Sequence, residues 1–179
     1  MNLFIGCSSR EDIPDKYFKD CEILLDKLFQ QDFNLVFGAY NQGLMKLSYN
    51  KALEYKHQVI GISPKIFQDD FKNLNCNREI ITKSISKRTE RLIEESDSLL
   101  FLPGGIGTIY ELLSAIESKR SGEFDKPIII YNSCGFFDEL FLFLEKTYQE
   151  KFSPEVSVRT SMADFKRLCH NKWLIFDEK

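Results

Sequence analysis

The chain has 179 residues, 43% of them hydrophobic and 28% charged, which excludes intrinsic disorder and supplies one sizeable core. A formal net charge of −3 and a pI near 5.5 exclude an overall basic footprint for a nucleic-acid polymer. Nothing approaches the roughly 20 consecutive apolar residues of a membrane span.

In chain order, the N-terminal "MNLFIGCSSRED" has no basic n-region, and its apolar run is too short for a signal peptide. It predicts a first strand, "NLFIG" (2–6). Residues 15–31 then place Phe18, Cys21, Leu24, Leu25 and Leu28 on one helical stripe. A second strand, "NLVFG" (34–38), precedes a helix over 43–56, and "QVIGIS" (58–63) is the third strand. Residues 63–84 are polar and turn-rich and predict a mobile loop over a site. A helix over 84–96 leads into "SLLFL" (98–102), a helix over 108–121 into "PIIIYN" (127–132), and a helix over 135–150 ends the regular alternation. A last strand is expected at "KWLIF" (172–176).

Most of these strands are nearly continuous in hydrophobicity, as parallel strands covered on both faces are. Strand alternating with helix therefore predicts a single α/β domain over residues 1–179: a Rossmann-like, three-layer fold with a mostly parallel sheet between two helical layers. The five cysteines are odd in number and widely spaced, with no C-x-x-C. Reduced thiols in a cytoplasmic protein, without a metal site, are the expectation.

Ligands of an open α/β sheet settle outside the carboxyl ends of the strands. Three such ends carry suggestive residues. After the first strand, Ser8 and Ser9 can donate hydroxyls to a ligand or cap a helix beginning near Asp12. After the second, Gly38 and Gly43 can admit a ligand or serve a strand-to-helix turn. After the fourth comes "PGGIGT" (103–108), where Gly104, Gly105 and Gly107 let the backbone approach an anion. Thr108 then opens a helix whose first N–H groups and dipole favour a phosphate. Thr108 and Glu111 also read as T-x-x-E, a capping box, which would leave Glu111 a structural role only. Arg88, near the start of the preceding helix, is either an exposed member of a basic face with Lys83, Lys87 and Arg91, or a cation reaching the same edge.

Together these residues resemble the LOG ("Lonely Guy") family of cytokinin riboside 5′-monophosphate phosphoribohydrolases, whose relatives were long labelled possible lysine decarboxylases. The family's P-G-G-x-G-T-x-x-E stands here as "PGGIGTIYE" (103–111). "GCSS" (6–9) is similar to C-G-S-S with its first two residues transposed, and "LVFGAYNQGLM" (35–45) to L-V-Y-G-G-G-x-x-G-L-M. "VIGISPK" (59–65), "DKPIIIYNSCGFF" (125–137) and the nine-residue spacing from Arg88 to Asp97 complete the likeness.

The resemblance implies hydrolysis of the N-glycosidic bond of a nucleoside 5′-monophosphate, AMP or a cytokinin riboside monophosphate, to free base and ribose 5-phosphate. It makes Arg88 and Glu111 the catalytic pair. It assigns substrate binding to Ser8, Ser9, Gly38, Gly43, Gly104, Gly105, Gly107 and Thr108, with no cofactor and no metal. It also implies a homodimer, for which the Phe-rich stretch 136–150 has apolar surface to spare. Where the family has M-H-x-R-K, this chain has "ISKRT" (85–89), so Ser86 and Thr89 replace a histidine and a lysine. Ala39 and Tyr40 replace two glycines, and Glu117-Ser118 a Thr-Trp pair. These departures motivate an alternative: a non-catalytic protein of the same fold that binds a nucleotide or carries a phosphorylated cofactor, as molybdenum-cofactor carriers do. A flavodoxin-like electron carrier fits less well, because no aromatic pair brackets a flavin loop.

Overall fold

A computed structural model describes residues 1–153; the strand expected at 172–176 lies outside the described residues. Six strands form one sheet: β1 (Asn2–Gly6), β2 (Asn34–Phe37), β3 (Val59–Pro64), β4 (Arg78–Thr82), β5 (Ser98–Phe101) and β6 (Ile128–Ile130). Their order is β4-β3-β2-β1-β5-β6 and every pairing is parallel. The chain winds outward from β1 to β4, then returns to place β5 on the other side of β1. That reversal makes the β1/β5 boundary the topological switch point, where a crevice opens at the carboxyl ends.

The strand interiors Leu3 to Ile5, Leu35 to Phe37 and Leu99 to Phe101 are all buried, which is why they read as unbroken apolar runs. On one face, α1 (Asp15–Phe29) and α2 (Gly43–Glu54) bury Cys21, Leu24, Leu28, Leu44 and Ala52 against Leu3, Ile5 and Leu35. On the other, α3 (Ile85–Glu94) and α4 (Ile106–Arg120) bury Leu92, Ile93, Leu112 and Ala115 against Phe4, Val36 and Phe101. Each fully buried Leu, Ile or Phe contributes about 1.5–3 kcal/mol, so these two layers supply most of the driving force. Phe4 and Phe101 meet edge to face, centroids 5.5 Å apart, and a Cβ at Gly6 would stand 2.8 Å from the Phe101 ring. Gly6 thus makes room for the ring at the switch point.

After β6, Tyr131 and Ser133 donate their hydroxyls to the two carboxylate oxygens of Asp20 on α1, at 3.0 and 2.5 Å. That pin leads the chain into α5 (Asp138–Gln149), none of whose residues is buried.

The main departure from expectation is at residues 63–84. In place of a loop, the segment folds as a 3₁₀ helix (Lys65–Asn73), interrupted at Phe67, followed by the edge strand β4. Phe71 packs over Gly61, where a Cβ would come within 2.6 Å of its ring. Asn75 donates its backbone N–H to the Tyr49 hydroxyl at 2.8 Å, and Asn77 pairs with Val59 in both directions. β4 escapes sequence reading because Arg78, Glu79 and Ile81 face solvent, as suits an edge strand protected by charge. Among the described residues, no helix is long and apolar enough to cross a membrane.

Candidate active site

The three strand ends singled out in the sequence meet at the switch point and are stitched together by backbone. Ser8 donates its N–H to Pro103 O at 3.0 Å, and Met45 donates its N–H to Ser8 O at 3.2 Å. Ser8 is buried and its Oγ accepts from Arg10 N at 3.1 Å, while Ser9 is half-buried beside it. Neither caps a helix: α1 begins only at Asp15, behind Pro14. Gly43 has φ of +59°, and a Cβ there would lie 2.5 Å from Arg10 O, so the start of α2 can approach the β1 loop only as glycine. Ala39, buried at φ of +55°, adopts the same left-handed region without that freedom.

The glycine loop divides into structural and open positions. A Cβ at Gly104 would fall 2.1 Å from Thr108 Oγ1, so Gly104 makes room for the buried Thr108 side chain. Around Gly105 and Gly107 nothing lies within 4 Å of such a Cβ, and neither has positive φ. Packing does not require glycine at these two positions. They leave clear space over the N-terminus of α4, where the N–H groups of Ile106, Gly107 and Thr108 have no acceptor within the helix. That is a ready anion cradle.

Here the structure corrects the sequence reading. α4 does not open at Thr108 but at Ile106, with Gly105 in the cap position and no side-chain cap bond. Thr108 is therefore the third helical residue and Glu111 the sixth, too far along to bond back as a capping-box partner. Instead Glu111, 2% exposed, accepts a hydrogen bond from Arg88 Nη2 to Oε1 at 2.7 Å. Arg88 is no surface arginine: its side chain is 13% exposed, and Nη1 lies over the end of β2, 3.8 Å from where a Gly38 Cβ would stand. The N-cap Ser84, whose Oγ accepts from Lys87 N at 3.2 Å, sets the first turn of α3 from which Arg88 projects.

Electrostatics make this pair unusual. Burial pushes the Glu111 carboxyl up from 4.5 to about 7, and this outweighs the charge of Arg88 and its hydrogen bond, which pull it down. Arg88 Nε is buried without a partner, as is Oδ1 of Asn41 in the loop after β2. Asn41 carried no signal in the sequence beyond its place in "GAYNQG"; its Nδ2 donates to Asn73 O at 3.2 Å. Cys7, the residue after β1, continues the alternation of Leu3 and Ile5 and is buried with them. Burial pushes its thiol well above the usual value. Of the departures noted above, Ser86, Thr89 and Ser118 line one groove of about 510 Å³ between α3 and α4, and Glu117 pairs with Arg120. The four described cysteines are free thiols.

A group that can hold a proton near neutral pH, locked to a fixed cation beside an anion cradle, can orient water and stabilise developing positive charge. The raised acidity constant also fixes a stability prediction. The folded state binds the Glu111 proton more tightly than the unfolded chain, so burying this group costs nothing below about pH 4.5. The cost grows as pH rises and is complete above about pH 7, at roughly 3 kcal/mol. Urea denaturation of Glu111→Gln, which cannot ionise, should therefore gain stability relative to wild type by about that amount between pH 4.5 and 8. A pH-independent difference would contradict it.

Comparison with known proteins gives a consistent result. A molybdenum cofactor carrier protein from Chlamydomonas reinhardtii has the same fold, with TM-score 0.67 at 18% identity over 95% of this chain and 98% of that one. A protein of Arabidopsis thaliana named cytokinin riboside 5′-monophosphate phosphoribohydrolase is 31% identical over 158 residues, 88% of this chain and 74% of that protein. One of Oryza sativa subsp. japonica, named "probable cytokinin riboside 5′-monophosphate phosphoribohydrolase", is 30% identical over 152 residues. That match takes in 84% of this chain, which spans 60% of the rice protein's length. Residues 45–167 match the family described as "Possible lysine decarboxylase". The chain belongs to that family, the LOG family.

Proposed function

We propose that the protein hydrolyses the N-glycosidic bond of a nucleoside 5′-monophosphate, AMP or a cytokinin riboside monophosphate, releasing free base and ribose 5-phosphate. The observation that carries this reading is the buried Arg88–Glu111 pair, 2.7 Å apart, whose carboxylate stands on the same helix that opens at the Gly105–Gly107 cradle. The phosphate sits on the first N–H groups of α4, with Ser8, Ser9, Gly38, Gly43 and Thr108 shaping the walls. Cleavage leaves positive charge on the ribose ring, and the Glu111 carboxylate meets that charge and takes a proton from the attacking water. With its carboxyl near neutrality, Glu111 can both ionise and reprotonate in one cycle. Arg88 holds the carboxylate in place and offers Nη1 to substrate oxygen. The relatives named above as cytokinin riboside 5′-monophosphate phosphoribohydrolases support the substrate class.

The test is release of free base from AMP and from N6-substituted adenosine monophosphates, followed by chromatography. Glu111→Gln and Arg88→Ala should each lower turnover about a hundredfold or more, the scale of one preorganised electrostatic group. A carrier with the same cradle would bind nucleotide or phosphorylated cofactor without releasing base in any variant.

We also infer that the chain works as a homodimer. Ile106, Leu113, Phe136, Leu142 and Phe143 expose 91, 41, 37, 66 and 61% of their surface along α4 and α5, beside the cradle. An apolar surface of that extent marks an interaction face. Light scattering at micromolar concentration should give twice the 20.9 kDa chain mass, falling to one in Phe143→Glu. A monomeric wild type would refute the dimer.

A further inference from the structure

Three of the positions at which this chain departs from its family's pattern meet in one place. Ser86 and Thr89 on α3 and Ser118 on α4, which replace a histidine, a lysine and a tryptophan, line the groove of about 510 Å³ between the two helices. Each is smaller than the residue of the pattern, and the exchange at Thr89 also removes a positive charge. Both helices run away from the carboxyl edge of the sheet, and the groove follows them from Ser86 and Tyr110 to Glu94 and Ser118, roughly 12 Å. Its carboxyl-edge end belongs to the same turns as the ion pair. Thr89 follows Arg88 and Tyr110 precedes Glu111, while Ser114 and Ser118 stand three and seven residues beyond Glu111 on one face of α4.

The lining changes character along the groove. Ile93 and the half-buried Phe124, both packed on the core, give it an apolar floor. The far half is rich in acceptors: Glu90, Glu94 and Glu123 bring carboxylates. The ammonium of Lys126 is engaged at the end of α3, donating to Ile93 O at 2.8 Å and Glu94 O at 3.1 Å. Lys87 and Arg91, outside the lining, bond Oε2 of Glu90 and of Glu94 at 2.5 and 2.7 Å. Exposed pairs of this kind are weak and yield readily to a competing ammonium. We propose that the groove is the subsite for a substituent on the base, and that it selects a nucleotide whose base carries an alkyl arm ending in an ammonium group. The arm's methylenes cover Ile93 and Phe124, and its ammonium donates to Glu94 and Glu123. A cavity of this size, mostly polar at one end and apolar beneath, suits such a ligand.

This assignment rests on the nucleotide reading above and narrows its substrate class. Titration calorimetry with AMP, N6-hexyl-AMP and N6-(6-aminohexyl)-AMP tests it, with base release from each followed beside it. The aminohexyl nucleotide should bind at least about tenfold more tightly than the hexyl one, one factor of ten being the scale of a single charge-assisted contact. Two variants should each lower that ratio about fivefold or more: Glu94→Gln combined with Glu123→Gln, which keeps the shape, and Ser118→Trp, which fills the groove without changing charge. The ratio is read within each variant, so a general loss of affinity or stability does not imitate the result. A wild-type ratio short of tenfold, or a smaller fall in either variant, overturns the proposal. Selective binding with no base released from any of the three nucleotides would remove the hydrolase and leave the groove's assignment intact. Base release without selective binding would do the reverse.

Discussion

The chemistry proposed for this molecule turns on one ion pair. Arg88 and Glu111 come from neighbouring helices, 23 residues apart in sequence, and meet at 2.7 Å with almost no access to water. Removing two charges from water costs several kcal/mol per ion, and a single hydrogen bond between them repays that only in part. The imbalance is visible in Glu111, held near neutrality in spite of its cation. A fold selected for stability alone would fill this position with apolar side chains. Strand order brings the N-terminal halves of α3 and α4 together, and the proposed role of the pair is to share its cation with a ligand there.

Around the pair, the glycines have separable tasks. Gly6 yields to the Phe101 ring, Gly43 lets α2 approach the β1 loop, and Gly104 lets Thr108 lie under the turn. These three are settled by packing within the protein. Gly105 and Gly107 face open space, so their lack of side chain is meaningful only for something that arrives from outside. The inner wall of the site is thus close-packed and the outer one open, with the exposed Ile106 between the two open glycines as an apolar rim.

Much of this was legible in the sequence because the controlling signals are local. Unbroken apolar runs identify β1, β2, β3, β5 and β6, and helical stripes identify all five α-helices to within a few residues. Where the reading failed, the deciding physics was not local. β4 is an edge strand with Arg78, Glu79 and Ile81 exposed, so nothing in "REIIT" distinguishes it from a loop until β3 is there to pair with it. The capping box at Thr108 and Glu111 has the right spacing, yet α4 starts two residues earlier, and burial against Arg88 decides what Glu111 does. Family resemblance pointed to Arg88 and Glu111 together; spacing alone left each with a structural alternative. The orphaned Nε of Arg88 is a property of the assembled edge and has no counterpart in a linear pattern.

The central claim is that Arg88 and Glu111 act as a unit on a bound nucleotide. A double-mutant cycle on kcat/KM for base release, with Arg88→Ala, Glu111→Gln and the combined variant, addresses it directly. Groups that act as a unit are non-additive, so the double variant should lie within about threefold of the slower single variant. Losses that multiply would show two independent contributions and contradict the account.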